Sequence, residues 1–138
     1  MTSTQIVPDP KWIKHYLREA ADTLHRLPRA YARPRLTGWP DVVQNSFAYD
    51  HNPCRTRPAS PSPAAIDRLD ESLGWMFVCN QEQRIVVWAR ACGIAWRRIE
   101  DMDGRSHMTL RRIEDRGLAA IRDRLRVTPP PRIFDRLD

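Results

Sequence analysis

The stretch GIAWRRIEDMDGRSHMTLRRIEDRGLAAIRDRL, residues 93–125, decides how the rest of the chain is arranged. Ile94, Ile99, Met102, Leu110, Ile113, Leu118 and Ile121 recur at helical spacing among arginines, which predicts two amphipathic helices. Gly104 separates them. It takes a positive φ at no steric cost, so a tight turn is expected there. Ser106 follows as an N-cap, because its hydroxyl accepts an orphan N–H of the next turn. The reading is a short first helix, a turn near Gly104 and a second helix starting at Ser106. A second helix capped in this way offers its first turns to a DNA major groove.

Candidate contacts follow from that geometry. Ser106, His107, Met108, Arg111, Arg112 and Asp115 lie in the first turns of the second helix. Arg111 or Arg112 suits a bidentate contact to guanine. Arg97, Arg98, Arg105, Thr109 and Arg116 are candidates for phosphate contacts. The competing reading of each arginine is a solvated helix face. Glu100, Asp101, Asp103, Glu114 and Asp115 dilute the local positive field.

The pattern Gly93, Trp96, Arg97, Ile99, then Gly104, Ser106, Thr109, Leu110, Arg111 resembles the helix-turn-helix of the sigma-factor C-terminal domain and its LuxR-type relatives. It departs from that pattern at Glu100, Asp103 and Arg105. The segments WPDVV (residues 39–43), RPASPSPAAIDRLDESLGWM (residues 57–76) and VWAR (residues 87–90) resemble an uncharacterised helix-turn-helix family found in alphaproteobacterial and phage genomes. That resemblance implies a DNA-related role and no particular activity.

Working outward, the preceding helices carry their own start and stop signals. Asp9-Pro10 opens a helix that repeats Trp12, Ile13, Tyr16, Leu17, Ala20, Leu24 and Leu27 before Pro28 stops it. Arg29, Arg33 and Arg35 fall in a loop, read as an exposed connector or a phosphate-contacting arm. A short helix is expected from Trp39 to about Tyr49, with Trp39 as a core anchor. Pro53, Pro58, Pro61 and Pro63 mark a linker. Ser62-Pro63 opens the next helix, whose stripe is Ile66, Leu69, Leu73 and Met76, widened by Trp75 and Phe77. Asn80, with Gln83 three residues on, forms a capping box for a helix rich in Ile85, Val86, Val87, Trp88, Ala91 and Cys92, which Gly93 ends. Prolines 129–131 terminate the last helix near Arg126. Ile133, Phe134 and Leu137 then either pack back or meet a partner. The division expected is an N-terminal helical arm over residues 1–52, a linker over 53–63 and a helix-turn-helix domain over 64–138. The fold class is all-α, a helical bundle with about six helices. The arm either buttresses the bundle or forms a subunit interface.

The 138 residues carry a net charge of +6 and a pI near 9.9, which suits a polyanionic partner. Lys11 and Lys14 are the only lysines, so the positive charge is arginine. The three cysteines, Cys54, Cys79 and Cys92, show no pairing motif, which points to a reducing cytoplasm. No signal pattern and no apolar run of membrane-spanning length is found. His51 and Cys54 lack the second ligand pair that a zinc site needs. Asp67, Asp70 and Glu71 read as a solvated face, and Cys92 as a small buried hydrophobe. With no phosphate loop, metal cluster or nucleophile motif, no enzyme and no cofactor are expected.

The leading expectation is a DNA-binding protein that acts on double-stranded DNA through its helix-turn-helix, a transcription regulator of phage or bacterial type. The alternatives are a small-terminase-like packaging subunit and an interaction module that binds RNA polymerase. A monomer or homodimer is expected, with no membrane partner.

Overall fold

The computed structural model describes residues 8–27 and 59–134. Among them are five α-helices and no strand: α1 (Pro10–Arg26), α2 (Pro63–Trp75), α3 (Gln81–Ala91), α4 (Trp96–Asp103) and α5 (His107–Val127). Short 3-10 turns occupy Met76–Val78 and Arg132–Phe134. This is an all-α helical bundle. The expected loop with Arg29, Arg33 and Arg35, the Trp39 helix, Cys54 and Leu137 lie outside the described residues.

Local chemistry sets the helix ends. Ser62 Oγ accepts from the Ala65 N–H at 3.2 Å, with Pro63 in the first position of α2. Asn80 and Gln83 close a reciprocal box at the start of α3, at 2.9 and 3.2 Å. Gly93 and Gly104 both take φ 79°, which side-chain-bearing residues rarely adopt. Asp9 departs from expectation. Its backbone is extended, but its carboxylate makes no capping bond. The proline is not the cause, since Ser62 caps α2 ahead of Pro63 in the same arrangement.

Two clusters of buried side chains hold the helices. The larger unites Ile13, Tyr16 and Leu17 of α1 with Trp75, Met76, Cys79, Val87, Leu118, Ile121, Leu125 and Phe134. Each fully buried Leu or Ile contributes roughly 1.5–3 kcal/mol relative to exposure. The smaller joins Val86, Ile99, Leu110 and Ile113, so it ties α3, α4 and the first turns of α5 together. α5 runs through both clusters, and adjacent Val86 and Val87 on α3 serve one each. α1 therefore buttresses the bundle: Ile13, Tyr16 and Leu17 of its apolar stripe are covered within the chain, while Leu24 stays 45% exposed. Arg68 pins α2 to Glu19 of α1, at 2.6 Å from Nη2 and 2.8 Å from Nε. The tail packs back: Tyr16 donates to the Phe134 carbonyl at 2.7 Å, and the rings of Trp12, Tyr16, Trp75 and Phe134 meet at 4.7–5.7 Å.

Four apolar residues expected inside are outside, among them Leu24 of α1 at 45% exposure. Phe77 is 80% exposed, because the chain leaves helical geometry at Met76–Val78 and turns the ring away from the core. Its ring lies 5.9 Å from the Arg84 guanidinium. Met102 is 77% exposed and Ile85 is 60% exposed. α4 is short and buries only Ile99, while α3 turns Val86 and Val87 inward.

Candidate nucleic-acid interface

α4 and α5 are joined by the three residues Gly104, Arg105 and Ser106. Gly104 donates its N–H to the Glu100 carbonyl at 2.7 Å, closing α4 in a left-handed cap. Ser106 then starts α5: its Oγ accepts from the Thr109 N–H at 3.4 Å and lies 3.0 Å from Thr109 Oγ1. Ser106 and Thr109 thus satisfy each other at the turn. Ile99 packs beside Leu110 and Ile113, which fixes one helix on the other.

Asp103 and Arg105, two of the departures from the sigma-type pattern, form a pair. Arg105 Nε donates to Asp103 Oδ2 at 2.6 Å and Nη2 to Oδ1 at 3.1 Å. Its Nη1 also lies 3.5 Å from Glu82 on α3. The hydrogen bond from Arg105 holds the Asp103 carboxyl below its ordinary range, and the same bond raises the guanidinium. Arg105, expected as a phosphate contact, is therefore occupied by two carboxylates.

His107 is half-buried, with its ring 5.3 Å from that of Trp96. The Arg90 guanidinium sits 4.6 Å from the centroid of Trp96 and donates to the Ile94 carbonyl at 2.7 Å. A stack of Arg90, Trp96 and His107 thus runs from α3 to the first residue of α5. Sequence reading missed this stack. The available signal was the spacing of Trp96 and His107 on either side of the turn.

The remaining candidates point outward. Arg97 and Arg98 on α4, and Met108, Thr109, Arg111, Arg112, Asp115 and Arg116 on α5, are all exposed. None of these five arginines has a carboxylate within 4 Å among the described residues, and Asp115 has no ion pair there either. By contrast, Arg26, Arg68 and Arg105 are paired at 2.6–2.9 Å. Glu114 is the exception among the acids that seemed to dilute this surface. It is 4% exposed and faces inward, with Lys14 of α1 at 3.4 Å. Its charge is matched inside the bundle and is withdrawn from the outer face.

Among the described residues, no three His, Cys, Asp or Glu side chains gather as a metal site. Cys79 is buried, lies 3.5 Å from the Gly117 carbonyl and has its thiol raised by desolvation, with Arg84 pulling weakly the other way. Cys92 is half-buried, and burial raises its thiol as well. In both, burial disfavours the thiolate form. No helix among the described residues is long and apolar enough to cross a membrane.

Neither a curated protein nor a solved structure matches the chain. A family model does, over residues 25–121, which run from the end of α1 into α5 and take in α4, the turn and the first fifteen residues of α5. The match covers most of the chain, which therefore belongs to the family described as a domain of unknown function, DUF6362.

Proposed function

We propose that this chain is a DNA-binding protein in which α4 and α5 act as a helix-turn-helix and α5 enters the major groove. The observation that carries the reading is the contrast among arginines. Arg97, Arg98, Arg111, Arg112 and Arg116 stand exposed on two consecutive helices, with no ion-pair partner among the described residues. Arg105 is locked to carboxylates, and Arg90 is packed on an aromatic ring. Holding unpaired guanidinium groups side by side is electrostatically unfavourable until a polyanion neutralises them. DNA phosphates do so with release of counterions.

The rest of the chain supports a regulator more than a packaging subunit. A ring needs two distinct faces per copy. Ile13, Tyr16 and Leu17, the centre of the α1 stripe that is the most obvious such face in the sequence, are buried inside the bundle. A transcription regulator acting as a monomer needs only the outer face of α4 and α5, and a two-fold dimer needs a single self-complementary patch in addition.

Binding to duplex DNA at rising salt tests the reading. Affinity is expected to fall by orders of magnitude between about 50 and 200 mM salt. Arg97→Ala is expected to weaken all sequences alike and to reduce the salt slope by about 1. Absence of any binding at low salt would remove DNA as the partner and leave the exposed face to a protein.

A further inference from the structure

The outer face of α5 is ordered in a way that assigns different tasks to its side chains. At about 100° per residue, Met108, Arg112 and Asp115 share one strip roughly 60° wide. That strip lies opposite Leu110, Gly117 and Ile121, which are buried. Arg111 and Arg116 fall about 70° to either side of it. All five residues are exposed, and Met108 keeps 59% of its surface in water. Along the axis, Met108 and Arg112 are about 6 Å apart, and Arg112 and Asp115 about 4.5 Å. Base pairs stack about 3.4 Å apart, so these three reach pairs one or two steps from each other.

A second observation concerns Asp115. Arg111 stands four residues before it and Arg112 three, the spacings at which helical ion pairs close. Asp22 and Arg26 do close at such a spacing, at 2.9 Å. Asp115 closes with neither Arg111 nor Arg112 among the described residues. Acid and base both remain exposed.

We propose that this strip reads a short asymmetric step centred on a G·C pair. The inference rests on the DNA-binding function proposed above. Arg112 takes guanine O6 and N7 through its two-pronged guanidinium. Asp115 accepts from the amino group of a cytosine on the carboxyl-terminal side, and Met108 packs on a thymine methyl on the amino-terminal side. Arg111 and Arg116 flank the strip and hold the phosphates of the two groove walls. Arg112, rather than Arg111, is thus the guanine reader.

Selection of bound duplexes from a random pool, with the full chain and its variants, tests this. The wild-type pool is expected to converge on one guanine with a cytosine beside it. Arg112→Ala should lose the guanine at that position and about tenfold or more in affinity for the selected site. Arg111→Ala should weaken every sequence to the same degree and leave the selected motif unchanged. Asp115→Asn exchanges an acceptor for an amide that matches adenine, so the preference at the neighbouring position should move from cytosine to adenine. A purely structural role of Asp115 would not move that base. DNA binding with an A·T-only motif, or an altered motif in Arg111→Ala, would overturn the assignment and leave the DNA-binding function standing. Absence of DNA binding by the wild type would overturn both. The substituted side chains are exposed, and helical circular dichroism confirms that each variant is folded.

Discussion

Glu114 shows how a single side chain ties the outer face to the bundle. It sits one residue from Asp115 on α5, yet it is buried while Asp115 is exposed. A buried carboxylate is costly unless a cation or hydrogen-bond donors match it. Lys14 of α1 supplies the match at 3.4 Å while keeping 42% of its own side chain exposed. This pair adds to the buried Leu110, Ile113, Leu118 and Ile121 in setting the rotation of α5, which keeps Met108 and Arg112 on the exposed face. Removing one partner of a fully buried pair costs about 3–5 kcal/mol. Lys14 is partly in water, so Lys14→Met is expected to lower stability by about 1–2 kcal/mol. The double variant with Glu114→Gln should recover most of that loss in urea unfolding. An unchanged midpoint for Lys14→Met would show that the pair does not position α5.

The elements divide by how local their signals are. Ser62, Asn80, Ser106, Gly93 and Gly104 were legible in the sequence because each acts on backbone groups within a few residues. The face each helix buries was less legible, because it depends on what packs against it. Hence Ile85, Met102 and Phe77 read as core and are exposed, and Glu114 read as surface and is buried. Gly117 belongs with these. Its periodic neighbours suggest only a weak point in α5, yet a Cβ there would meet Val87 Cγ2 at 3.0 Å and Gln83 Cβ at 3.2 Å. The glycine lets α5 lie close against α3. Gly117→Ala would gain about 1 kcal/mol of helix propensity. It would also press on a stiff branched side chain in the core, and overpacking costs about 1–3 kcal/mol. The packing term is the larger, so a net loss of about 1 kcal/mol is expected. A raised melting temperature would show that α3 yields at no cost.

At the scale of the whole molecule, α1 is the element whose role the sequence left open. The sequence suggested an arm set apart by a proline-rich linker. In the bundle, α1 provides Ile13, Tyr16 and Leu17 to the same cluster that holds Leu118, Ile121 and Leu125 of α5. It also clamps the tail through Tyr16 and Phe134. The α4–α5 pair has its own small cluster with α3, four buried residues around Ile99 and Leu110. Three buried α1 side chains at roughly 1.5–3 kcal/mol each rival the net stability of about 5–15 kcal/mol typical of a folded domain. A fragment beginning at residue 59 would expose Trp75, Met76 and Phe134, which α1 now covers. That fragment is expected to keep part of its helical signal, to bind a hydrophobic dye and to unfold without a cooperative transition. The full chain should unfold in one step. If the fragment instead unfolds cooperatively at the midpoint of the full chain, the C-terminal helices form an independent domain and α1 is an accessory to it. The proposed DNA-binding face is then carried by α2 to α5 alone; otherwise its geometry depends on α1, and substitutions at Tyr16 or Leu17 are expected to weaken the proposed DNA binding from the far side of the bundle.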